Sequence, residues 1–252
     1  MRDTDALTVR TLKPATAAAA EAAAGAPPVL LVHGFGSDGA TDWIATGIAA
    51  ALAESGRTVV VPDLRGHGSS PAPATAAEAT APALAADLLA VMDAAGAETF
   101  DIAGYSLGAR VAWAVPAAAP GRVERSVLGG LSPAEPFTAV DVDALHGAVR
   151  EGTEPADPFT AAIAGMVSAQ GDRAPGLALC VEGLRSTPFA GGAWPGKVPP
   201  VFVVGDNDDL TRGIGDLAES IGGARLVTVP GSHHEVLAGP RFRDTVLDVL
   251  AR

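Results

Sequence analysis

The sequence predicts an α/β domain built on a doubly wound, mostly parallel sheet, with one helical insertion. Three observations carry this. Short β-rich runs alternate with longer helical patterns along the 252 residues. Several of the runs, such as Val29-Leu30-Leu31-Val32 and Val201-Phe202-Val203-Val204, are continuously apolar, which suits parallel strands covered by helices on both faces. The alternation then fails over a single stretch, residues 132–196, where helical patches recur without a convincing strand.

The strands are expected at Leu7–Leu12, Val29–His33, Thr58–Pro62, Thr99–Ala103, Val123–Gly129, Val201–Gly205 and Arg225–Val229. Helical patterns lie between them at Trp43–Ser55, Pro82–Ala95, Leu107–Ala118, Gly213–Ile221 and Pro240–Ala251. Regular βα alternation implies right-handed crossovers, and ligands of such sheets bind beyond the carboxyl ends of the strands. The Ala-rich run Ala17 to Gly25, interrupted by Glu21, reads as a loop or weak helical turn and is far too short to span a membrane. Residues 70–83, rich in Ala and Pro, read as a loop leading into a helix. Within the insertion, helical patches at Val140–Arg150, Phe159–Ala169 and Leu177–Arg185 are separated by Pro- and Gly-bearing turns. The expected organisation is a core of residues 1–131 and 197–252, with residues 132–196 as a cap over the carboxyl edge. Its apolar residues, Phe137, Phe159, Ile163 and Trp194 among them, either pack on the core or line a pocket.

Composition narrows the class of function. A hydrophobic fraction of 48% supports a substantial core. A formal net charge of −12 with no basic run argues against a nucleic-acid partner. Cys180 is the only cysteine, so no intrachain disulfide forms, and its apolar neighbours predict a small buried hydrophobe. The start, Met1-Arg2-Asp3-Thr4-Asp5, carries acidic residues and no bulky apolar core behind them, so no signal peptide is expected and a cytoplasmic, membrane-free protein is the default reading.

The chemistry concentrates just after the strands. Gly104-Tyr105-Ser106-Leu107-Gly108 follows one strand and opens a helical pattern. Glycines two residues to either side of a serine permit a turn so sharp that larger side chains would collide. The hydroxyl is then presented beside a helix N-terminus, which favours developing negative charge. His33-Gly34-Phe35-Gly36 follows another strand. Its small residues let backbone N–H groups point into the crevice, and those of Phe35 and Leu107 together can hold an oxyanion. In Pro62-Asp63-Leu64-Arg65-Gly66-His67-Gly68-Ser69, an Asp–Arg pair and glycines predict a structural turn, and both His33 and His67 read as structural. Gly205-Asp206-Asn207-Asp208-Asp209 offers three aspartates, any of which could orient a histidine, form an acidic loop or cap a helix. Pro230-Gly231-Ser232-His233-His234-Glu235 offers two histidines, one of which can act as general base to Ser106. Neighbouring histidines cannot both reach one ion, and no His-x-x-x-His or cysteine set is present, so no zinc or other metal is expected.

With these motifs in this order, the chain resembles the α/β-hydrolase superfamily, in its single-domain, helical-capped branch, over about residues 28 to 252. The resemblance implies a triad acid at the end of Gly-x-x-Asp, which is Asp208. It also implies a histidine followed by leucine at +4 and proline at +7; His233, with Leu237 and Pro240, fits this spacing, and His234 does not. Haloalkane dehalogenases and epoxide hydrolases of the superfamily carry aspartate at the elbow centre, where this chain has Ser106. The implied activity is a cofactor-free serine hydrolase of the carboxylesterase type acting on a small ester-like molecule, lactone or thioester. Other readings remain beside it: a carbon–carbon bond hydrolase or perhydrolase using the same residues, an acyltransferase, and a non-catalytic small-molecule receptor. The oligomeric state is undetermined.

Overall fold

The computed structural model describes residues 6–251; the segment Met1 to Asp5, on which the reading of the chain start rests, lies outside them. A 7-stranded sheet is formed by β1 (Val9–Leu12), β2 (Val29–Val32), β3 (Val59–Pro62), β4 (Phe100–Tyr105), β5 (Val123–Gly129), β6 (Val201–Gly205) and β7 (Arg225–Val229). The order is β1-β3-β2-β4-β5-β6-β7, with β1 antiparallel to β3 and every other pairing parallel. The central runs are apolar because both faces are covered, and the two-residue period of a strand assigns each residue to a layer. Leu30 and Val32 face a core shared with α3 (Ala81–Ala94) and α4 (Leu107–Ala118), while Val29 and Leu31 face one shared with α2 (Ile48–Glu54) and α10 (Pro240–Leu250). The chain leaves β2 and β4 toward opposite sides of the sheet, so their carboxyl ends flank the crevice where a doubly wound sheet takes its ligand.

Three local outcomes depart from the expected elements. The pattern Trp43–Ser55 is not one helix: a wide turn over Ala40–Ile44 is cut off by Gly47 at φ +74°, and α2 begins at Ile48. The run after Ala17 forms α1 (Ala17–Ala22), whose first turn is capped by Thr16 Oγ1 accepting from the Ala19 N–H at 3.0 Å. A helix not anticipated from the pattern, α9 (His233–Ala238), starts at a capping box in which Ser232 and Glu235 satisfy each other's backbone donors.

Between β5 and β6 the chain forms α5 (Val142–Glu151), α6 (Pro158–Ser168) and α7 (Ala174–Ser186), and no strand occurs there among the described residues. Asp141 and Asp157 cap α5 and α6 through their carboxylates. Leu145, Val167, Leu177 and Leu184 continue the α3/α4 core layer into the insertion. The two ends of the insertion are tied where they leave the core, the Glu135 N–H donating to the Phe189 carbonyl at 3.0 Å. After β6 come α8 (Ile214–Ser220), then β7, α9 and α10.

The amino edge of the sheet is held by charge. Asp101, near the start of β4, accepts from Arg57 Nη2 at 2.5 Å and from Arg125 Nη2 at 2.6 Å. The Asp101 and Arg57 side chains have 0% exposure. Arg57 also donates to the carbonyls of Pro27 and Leu250, and Arg125 to that of Val249. A buried charge needs such company, and the result ties the end of α10 to the sheet. Among the described residues no helix is long and apolar enough to cross a membrane.

Candidate active site

Ser106 sits between β4 and α4 at φ 52°, ψ −114°, and is the sole non-glycine residue with positive φ among the described residues. This is strained for any side chain with a Cβ. The flanking glycines are required by close approach rather than by their own angles. A Cβ on Gly104 would stand 2.3 Å from the Gly108 carbonyl, and one on Gly108 would stand 1.9 Å from that of Val32. The elbow is therefore wedged onto β2, with Ser106 half-buried at the crevice.

The β2 loop approaches from the other side. The Gly34 N–H donates to Asp42 Oδ2 at 2.8 Å, and the Ser37 hydroxyl donates to Asp42 Oδ1 at 2.5 Å. Asp42, buried in the turn after the loop, thus fixes the His33–Gly34 peptide, one before the peptide that carries the Phe35 N–H. Among the described residues the backbone N–H groups of Phe35 and Leu107 have no protein acceptor. Both residues line the cavity that contains Ser106, so they stand as candidate oxyanion donors.

Asp208 and His233 come together. His233 Nδ1 donates to Asp208 Oδ2 at 2.7 Å, while Asp208 Oδ1 accepts from the Leu210 N–H at 3.1 Å. One carboxylate therefore orients a histidine and caps a helical turn at once, two of the alternatives its sequence left open. Of the competing residues, Asp206 accepts from the Gly231 N–H and Asp209 is exposed and pairs with Arg212. His234 is exposed. Bonding at Nδ1 leaves Nε2 of His233 as the acceptor nitrogen. The ring packs against Gly130, where a Cβ would lie 2.9 Å from His233 Cε1. The Tyr105 hydroxyl donates to the His233 carbonyl at 2.5 Å, tying the residue before the serine to the histidine turn.

Ser106, Leu107, Phe35 and His233 share a narrow cavity of about 60 Å³, closed by Leu131, Pro136, Phe137 and the Arg110–Glu135 pair. Phe35 and Phe137 meet edge to face at 5.1 Å. Among the described residues no three His, Cys, Asp or Glu side chains converge as a metal-ligand set.

The turn at 62–69 is structural in a different way from the one expected. Asp63 and Arg65 do not pair with each other: Asp63 binds Arg10 at 2.7 Å, and Arg65 binds Asp87 at 2.8 Å. The Asp63 carboxylate turns back to accept the N–H groups of Gly39 and Ser69, which points it away from the arginine two residues on. His33 donates through Nδ1 to the Gly34 carbonyl and accepts the Leu64 N–H at Nε2, both at 2.8 Å. Burial lowers the pKa of His33 and takes that of His67 down to about 3, with neighbouring His33 adding to the effect on His67. Cys180 is buried, which raises its thiol to about 12.

Asp42, Tyr105, Arg110 and Glu135 escaped sequence reasoning. Arg110 carried the one available signal, a charged residue four places after the serine on an otherwise apolar helix.

The comparisons with known proteins agree with the architecture. Residues 27–162 match the model of the alpha/beta hydrolase fold family. Epoxide hydrolase A of Mycobacterium tuberculosis is 39% identical over 92 residues, which are 36% of this chain and 28% of that protein. The chain thus matches well under two thirds of the length of such curated relatives. Among solved structures, the enol-lactonase of Burkholderia xenovorans LB400 superposes with a TM-score of 0.73 at 25% identity, covering 98% of this chain and 96% of that one. A hydrolase from Pseudomonas aeruginosa PA01 does so with a TM-score of 0.70 at 27% identity, covering 96% and 93%. With the sheet order, the strained elbow and the family match in agreement, the chain belongs to the alpha/beta hydrolase fold family.

Proposed function

We propose that the protein is a serine hydrolase that cleaves a carboxylic ester or lactone through an acyl-enzyme on Ser106, with residues 132–196 forming a cap over the site. The observation that carries this reading is the serine at a strained elbow, facing the same cavity as a histidine whose Nδ1 is held by a buried carboxylate. Ser106 Oγ attacks the carbonyl carbon as its proton passes to His233 Nε2. Asp208 keeps Nδ1 protonated and stabilises the imidazolium. The oxyanion that forms is met by the N–H groups of Phe35 and Leu107, donors already in place before the reaction. The imidazolium returns its proton to the leaving alkoxide, and the acyl group stays on Ser106. His233 then takes a proton from water as it attacks the acyl carbon, and returns that proton to Ser106 Oγ as the acid is released. No cofactor or metal enters these steps.

The epoxide hydrolase likeness fits less well, since those enzymes carry aspartate where this chain has Ser106. The enol-lactonase likeness supports including cyclic esters. The test is turnover of p-nitrophenyl esters from acetyl to dodecanoyl by wild type and Ser106→Ala. The small cavity predicts serine-dependent hydrolysis with an optimum at short acyl chains. Absence of serine-dependent turnover on every ester overturns the reading.

A further inference from the structure

The cavity beside Ser106 ends on a charged pair in a wall that is otherwise mostly apolar, with Ser132 and His233 its other polar side chains. Arg110 lies one turn after Ser106 on α4, ~5.4 Å along the helix axis, and both line the cavity. Its partner Glu135 enters from the start of the insertion. The side chains are 12% and 2% exposed, yet the pair is loose, with Arg110 Nε to Glu135 Oε2 at 3.4 Å. The guanidinium is held in place by other contacts. Nη2 donates to the Thr187 carbonyl at 2.6 Å, and the group sits 5.0 Å over the Phe189 ring. Nη1 has no hydrogen-bond partner among the described residues. Glu135 divides its carboxylate between Arg110 and the Phe137 N–H, the latter at 3.3 Å. Burial raises the pKa of the Glu135 carboxyl and lowers that of the Arg110 guanidinium.

A rigid, half-buried guanidinium with a spare donor is a poor neighbour for a methyl group. An alkyl chain reaching it would displace water from Nη1 and return no hydrogen bond. An oxygen acceptor at the same place would take up one of the two Nη1 N–H groups, and hydrogen bonds to an ionised donor are the strong ones. We propose that Arg110 makes this a site for acyl groups bearing a hydrogen-bond acceptor, a carboxylate or ketone oxygen, about one helical turn from the scissile carbonyl. The inference rests on the serine hydrolase reading above. Arg110 is a specificity residue in this scheme and takes no part in bond making.

The experiment compares methyl esters, whose poor leaving group suppresses spontaneous intramolecular cleavage. The monomethyl esters of succinate, glutarate and adipate and methyl 4-oxopentanoate are set against methyl alkanoates of equal chain length, with wild type, Arg110→Met and Ser106→Ala. In wild type, kcat/KM for the best acceptor-bearing ester should exceed that of its alkanoate by about 10- to 100-fold, the worth of one hydrogen bond to a charged group. Arg110→Met should bring the ratio to near one. A preference shared by the ketone ester assigns the recognition to the acceptor oxygen. A preference confined to the dicarboxylates, and weakened by salt, assigns it to charge; both support the proposal. Alkanoates cleaved as well as or better than their counterparts overturn it and leave the hydrolase reading standing. Serine-independent or absent turnover of every ester overturns both. The wild-type ratio suffices if the variant fails to fold.

Discussion

The two ends of strand β4 have opposite designs. At the amino end Asp101 is fully buried, bonded to two arginines, and through them fastened to Pro27, Val249 and Leu250. At the carboxyl end Ser106 is half-buried, at φ 52°, beside N–H groups that have no protein acceptor. One end satisfies its polar groups and closes the fold; the other keeps strain and spare donors. About five residues separate a site built for stability from the candidate site of the chemistry. Backbone strain and unmet donors persist only where the surroundings over-determine them, and the wedged glycines Gly104 and Gly108 supply that constraint.

Substitutions at the two ends should separate the properties. The largest effect is expected from Ser106→Ala, which should lower kcat by about six powers of ten on any cleaved ester. Its unfolding free energy from urea denaturation should stay within ~0.5 kcal/mol of wild type. A large stability loss there would erase the contrast. Asp208→Asn should lower kcat by about 10⁴, through loss of the histidine tautomer, measured by burst and steady-state kinetics. Asp101→Ala should do the reverse, costing ~3–5 kcal/mol of stability because the buried carboxylate that balances the charges of Arg57 and Arg125 is removed. The kcat of the folded protein should be unchanged.

Acid provides a graded test. His67 titrates at about 3 in the fold and near 6.5 when unfolded, so it is neutral in both states above pH 6.5 and contributes no slope there. Below that, the unfolded chain takes up the proton first, and stability falls toward pH 3 by ~1.4 kcal/mol per unit for each such group. Buried His33 shifts in the same direction. Chemical denaturation between pH 4 and 7 should show a slope shallower by one proton in His67→Gln. Ser106→Gly relieves the positive φ and should raise stability by ~1 kcal/mol while abolishing turnover. A destabilised glycine variant would mean that the elbow is not where strain is kept.

Much of the sheet was legible because its strands are continuous apolar runs: Val123–Gly129, Val201–Gly205 and Arg225–Val229 occur with the expected bounds, as does the helix Leu107–Ala118. The break at Gly47 was missed because helical periodicity continues through it, while one left-handed residue ends the helix. Helix α9 was not legible because it is only six residues long, and its capping box, Ser232 and Glu235, brackets the two candidate histidines. In the candidate site, motifs pointed to Ser106, Phe35 and Leu107 through strand-end position. Asp208 and His233 needed the family spacing, since three aspartates and two histidines sit within reach in sequence. Asp42, Tyr105 and the Arg110–Glu135 pair act across 8, 128 and 25 residues of chain, and no local pattern encodes such contacts.

The bond from Tyr105 to the His233 carbonyl has a geometric consequence. Two moving parts are measured from one datum: the residue that carries Ser106 on its peptide also anchors the turn that carries the imidazole. A displacement of the elbow that preserves this bond must carry the histidine backbone with it, so the bond couples the position of Ser106 to that of His233.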